Sequence, residues 1–113
     1  MKKNILYLLL LTIICSTRQV SAQCDLPDLV NINTGSNMTV FFTSDAVADL
    51  PISSDSPYMV AISSSGIFVG SASFASEDLI LGQQSLAVWG DDTGTSELDG
   101  ASAGEEIYFQ LVD

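Results

Sequence analysis

The sequence predicts an all-β fold, a small antiparallel β-sandwich of immunoglobulin-like or jelly-roll-like kind. Three observations carry that expectation. Period-two hydrophobic alternation recurs in short segments, turn-forming stretches rich in Gly, Ser and Asp separate them at spacings of about 8–15 residues, and no stretch carries an apolar helical stripe longer than two turns.

The elements follow in order. After a polar loop at Asn31–Asn37, the run Met38–Thr43 places Met38, Val40 and Phe42 on one face of a strand. Ser44–Pro51 reads as a single helical turn, capped by Ser44 or Asp45 and ended by Pro51. Tyr58–Ser63 sets Tyr58, Val60 and Ile62 against Met59 and Ala61. Ser64-Ser65-Gly66 turns the chain and Ile67–Phe74 runs back, the clearest hairpin in the sequence. Ser76–Gly82 reads as a turn or a short edge element. Leu86–Trp89 is a further strand, ended by Gly90-Asp91-Asp92, and Asp91–Gly104 is the longest loop. Glu106–Val112 has the best alternation, with Ile107, Phe109 and Leu111 expected inward and Glu106, Tyr108 and Gln110 outward.

The N-terminus reads as an export signal. Lys2 and Lys3 precede an apolar run from Ile5 to Cys15, and Val20-Ser21-Ala22 is a small-residue cleavage site. The expected domain organisation is therefore a signal peptide at 1–22 and one β-sandwich domain at 23–113, which is expected to be the N-terminal part of a longer protein because the chain stops straight out of an apolar alternation. After the signal 91 of the 113 residues remain, enough for one small domain. Cys15 leaves with the signal, so Cys24 is the only remaining thiol. It either pairs with a cysteine outside this segment or stays free.

Charge excludes several functions. All three basic residues lie within 1–22, so residues 23–113 carry fourteen Asp and Glu, no Lys, Arg or His, and a net charge of −14. Nucleic-acid binding needs cations to displace phosphate counterions. Histidine-based triads and Schiff-base lysines lack their residues. Paired carboxylates remain for acid–base hydrolysis, but a core this small leaves little room for a pocket that separates two pKa values. No catalytic activity is expected.

Gly90–Glu106 is the densest functional candidate, with six carboxylates, several hydroxyls and flexible glycines. Calcium takes six to eight oxygen ligands, which acidic loops supply. Asp91, Asp92, Glu97, Asp99 and Glu106 are the candidate metal ligands, and calcium is the one cofactor they invite. On an EF-hand frame starting at Thr95 the fit is partial: Glu97, Asp99, Gly100 and Glu106 fall in place, but Thr95 stands where Asp belongs and no helices flank the loop. Trp89, beside this loop, is either a core residue or a platform for stacking on a sugar ring. Asn37-Met38-Thr39 is a glycosylation sequon that overlaps a strand start and is read as incidental.

Asn33–Phe42, Ser53–Ala61, Val69–Ala72, Gln84–Asp92 and Leu98–Asp113 together resemble β-sandwich modules at the start of large secreted or surface proteins of marine Bacteroidota. The resemblance covers nearly all of residues 24–113. It implies export, and in a longer chain a C-terminal sorting domain of the type IX secretion route and a downstream partner for Cys24. The function expected is a non-catalytic extracellular module, structural or adhesive, with an extracellular glycan or protein as its ligand and no membrane insertion after signal cleavage. The alternative is a calcium-assisted carbohydrate-binding module attached to a polysaccharide-degrading enzyme.

Overall fold

Alternation in the sequence becomes alternation in burial. The computed structural model describes residues 27–113; the expected export signal and Cys24 lie outside the described residues. Its elements are β1 (Asn37–Phe42), α1 (Ser44–Ala48), β2 (Tyr58–Ser63), β3 (Phe68–Ser73), β4 (Gln84–Trp89) and β5 (Ile107–Val112). β1 and β4 form one antiparallel sheet, and β3, β2 and β5, in that order, form the other. The two sheets pack face to face as a small all-β sandwich.

The inner faces make the core. On the two-stranded sheet Met38, Val40 and Phe42 stand opposite Val88, Leu86 and Gln84. On the other, Met59 and Ala61 stand beside Leu111 and Phe109. Met59, Ala61, Val69, Phe74, Leu86 and Val88 are buried in one apolar cluster, with Val47 of α1 closing one end. Phe42 packs edge-on against both Phe74, at 5.3 Å, and Phe109, at 5.6 Å, the arrangement aromatic quadrupoles favour.

The predicted hairpin forms, with one feature the alternation does not show. Ala61 pairs with Gly70 and Ile62 with Phe68, so Val69 is the extra residue of a bulge. The bulge brings Val69 into the core, where it is completely buried. Gly70, beside it, lies against β4: a Cβ there would overlap the Ala87 carbonyl and sit 3.1 Å from the Leu86 side chain. The sheets therefore meet closely along the β3–β4 flank.

β2 is covered on both faces. Val60 points away from the sandwich core yet is fully buried. Residues 27–30 are tied to that outer face: the Val30 N–H donates to Ser71 Oγ at 2.7 Å, and the Tyr58 hydroxyl donates to the Pro27 carbonyl.

One local expectation is corrected, and another, the turn or short edge element at Ser76–Gly82, takes the form of a turn. The helical turn is capped by Thr43, not by Ser44 or Asp45: Thr43 Oγ1 accepts from the Ala46 N–H while its carbonyl accepts from Val47. Ser76–Gly82 ends in a two-residue turn closed by reciprocal bonds between Ile80 and Gln83, with Leu81 (φ 54°) and Gly82 (φ 75°) both in the left-handed region. Asn or Gly is usual at the first of these positions, and Leu81 there is almost fully exposed.

Candidate functional site

The acidic loop departs from the end of β4 and returns at the start of β5. Its base is fixed by backbone contacts. The Ala101 N–H donates to the Trp89 carbonyl and the Asp91 N–H to the Ala101 carbonyl, both at 2.9 Å. Gly100 makes that approach possible, because a Cβ there would run into the Gly90 carbonyl and lie 2.7 Å from Asp91 N.

Within this frame the carboxylates turn toward the loop's own backbone. Asp91 Oδ1 accepts from the Asp99 N–H, and Asp99 Oδ1 accepts from the Asp92 N–H, each at 3.0 Å. Asp92 Oδ1 accepts from the Gly94 N–H at 2.8 Å. Side chains of this kind offer donors in a turn the partners that a sheet ladder would otherwise supply. Asp91, Asp92 and Asp99 are thus brought together, one bracing the next. Glu106 accepts instead from the Tyr108 hydroxyl. Glu97 joins the network through its carbonyl, which accepts from Thr95 Oγ1.

Among the described residues no group of three or more His, Cys, Asp or Glu side chains is placed to hold a metal ion, and one oxygen each of Asp91, Asp92 and Asp99 accepts from a backbone N–H.

Glu105 and Asp113, which sequence reasoning did not single out, are the most heavily bonded carboxylates. Glu105 Oε1 accepts from the Ser64 hydroxyl and from the Ser65 N–H and hydroxyl, and Oε2 accepts from the Ser102 N–H. One side chain thereby ties the β2–β3 turn to the loop before β5. The Ser65 and Ser102 bonds hold its carboxyl down at about 2, against an ordinary value of 4.5. Asp113 makes the equivalent tie at the other end, accepting from the Ser54 N–H and from the Ser53 N–H and hydroxyl, and lies far below the usual carboxylate range. The sequence signal available was the pairing of each acid with a serine-rich turn, which spacing alone does not connect.

Because the Glu105 pKa is lowered by folding, its contribution is fully present above about pH 4.5 and is lost as pH falls toward about 2. Glu105→Gln is expected to flatten the acid limb of the stability curve within that window. Urea midpoints of both proteins from neutral pH to pH 2 check this. Two profiles of identical shape would show that the brace contributes nothing.

Trp89 does not belong to the core cluster. It is half-buried on the outer face of the two-stranded sheet, because Leu86 and Val88 point inward and period two sends Trp89 the other way. Its cross-strand neighbour is Asn37, and exposed Phe41 lies on the same face, four residues along β1.

An open cleft of about 590 Å³ lies where β1 and β5 begin. Its lining includes the apolar side chains of Met38, Val88 and Ile107 and the carboxylates of Asp91 and Glu105. Among the described residues no helix is long and apolar enough to cross a membrane. No protein-family model, curated protein or solved structure matches the chain.

Proposed function

We propose that the chain is a non-catalytic extracellular module, structural or adhesive, of a secreted bacterial surface protein. The observation that supports this best is the use of the carboxylates. The acidic residues available for chemistry, Asp91, Asp92, Asp99, Glu105 and Asp113, are engaged as acceptors that pin loops and turns to the sandwich. The residues before Gln23 supply the export signal, and the absence of Lys and Arg after Arg18 leaves no trypsin-type cleavage site in the exported part. A braced, acidic sandwich of this size suits a place in an extracellular array better than it suits a catalytic pocket.

The test is exposure on intact source cells. Externally added proteinase K is expected to remove the protein without lysis, and detection in the medium would serve equally. Protection of the whole pool until the cells are broken would overturn the reading.

The second reading, a carbohydrate-binding module, draws on Trp89 and Phe41 sharing one outward face. A glycan array run in calcium and in chelator separates the two. Retention on one glycan class that Trp89→Ala abolishes would favour sugar binding, and dependence on calcium would support a metal at the acidic loop.

A further inference from the structure

Among the described residues the β1–β4 sheet has two strands, one fewer than a sheet usually needs to stand alone, and β1 pairs on one side only. The phase of its hydrogen bonds is fixed at its start, where the Gly90 N–H donates to the Ser36 carbonyl at 2.9 Å. Antiparallel pairing alternates from there. Met38, Val40 and Phe42 therefore bond toward β4, while Asn37, Thr39 and Phe41 direct their N–H and C=O groups to the free edge. Exposed edges are ordinarily blunted by charge, proline or a bulge. β1 reads Asn-Met-Thr-Val-Phe-Phe, with none of these, in regular register with β4 throughout.

The sandwich is also uncovered along this side. Met38 and Phe109 belong to the inner faces, opposite Val88 and Ala61, yet Met38 is 58% exposed and Phe109 40%. The open cleft continues this flank, lined in part by Met38 and Ile107. Where β3 meets β4 the sheets touch closely; where β1 faces β5 they meet at Phe42 and Phe109 but leave the cleft open beside Met38 and Ile107.

Charge selects the occupant. Residues 27–113 carry thirteen carboxylates and no cation, and Asp91 and Glu105 are among the residues lining the cleft. A second copy would bring carboxylates against carboxylates, whereas a basic segment would be drawn in and held. We propose that the free edge of β1 receives an extended segment of another polypeptide bearing Lys or Arg, which adds as a third strand and sets a basic side chain toward the cleft. Main-chain bonds to Asn37, Thr39 and Phe41 would supply affinity, and the apolar flank and the cleft would supply selectivity. This deepens the adhesive reading and rests on it.

The experiment titrates the isotope-labelled protein with a blocked alternating Val/Lys hexapeptide, followed by amide NMR, with a Val/Glu hexapeptide as control. Expected are shifts confined to Asn37–Phe42 and the cleft, slowed exchange of the Asn37, Thr39 and Phe41 amides, and affinity that falls at least tenfold between about 20 mM and about 500 mM salt. Thr39→Pro removes a donor from the free edge and leaves the β4 ladder intact. It is expected to abolish binding while the rest of the spectrum is kept. Equal response to both peptides, shifts elsewhere, or undiminished binding by Thr39→Pro would overturn the proposal. So would concentration-dependent broadening of β1 without peptide, which would assign the edge to a second copy. Failure here with surface exposure intact would leave the module reading standing, whereas protection from external protease would remove both.

Discussion

Gly70→Ala is expected to destabilise the fold by about 3 kcal/mol, at the upper end of what overpacking usually costs. The added methyl would overlap the Ala87 carbonyl, so a backbone must move and a rotamer change cannot absorb it. That carbonyl belongs to the side of β4 facing away from β1, so relieving the clash means prising the two sheets apart along their closest flank. For a domain of this size the melting temperature should fall by on the order of 15 °C. A scan showing a loss of no more than a few degrees would mean that β3 and β4 are not in contact there.

Phe74→Ala is expected to cost about 3–5 kcal/mol, a large part of the total stability of a domain of roughly 90 residues. Phe74 is only 2% exposed, and its backbone N–H holds the Pro57 carbonyl at 2.7 Å. Its ring supports Phe42, which in turn supports Phe109. Truncation would therefore loosen the aromatic chain of Phe74, Phe42 and Phe109 that links the two sheets across their open side. Urea unfolding gives the free energy, and near-ultraviolet circular dichroism shows whether the remaining aromatics keep fixed packing. A loss below about 1 kcal/mol would place the centre of the core elsewhere.

Strands were legible wherever one face is wet and the other dry. β1 was read within a residue at each end, and Ile107 and Leu111 pack where the alternation sends them. Phe109 faces inward as expected, yet stays partly exposed because nothing in a local pattern reports that the opposing sheet is only two strands wide. The same rule of two would have placed Trp89 outward, since Leu86 and Val88 had already claimed the core; size weighed against alternation, and alternation holds. The Val69 bulge and the left-handed Leu81 leave no signature, because neither residue type is one that such backbone normally selects. At the acidic loop the density of carboxylates was plain from the sequence, but their direction was not. Whether an aspartate turns outward as a ligand or inward to a neighbouring N–H depends on the path of the loop, and that path is set by the approach of Gly100 to Gly90.

The strap across β2 bears on how the domain would carry tension. Tyr58 holds Pro27 through its hydroxyl and pairs with Val112 through its backbone register. The first and last described residues thus lie at the same end of β2. A pull between Pro27 and Asp113 would load the strap and β5 from that shared end and open their bonds one after another, like a zip. Strands drawn lengthwise past each other would instead resist with all their bonds at once. Along this axis the domain would yield early and by degrees, as a compliant element.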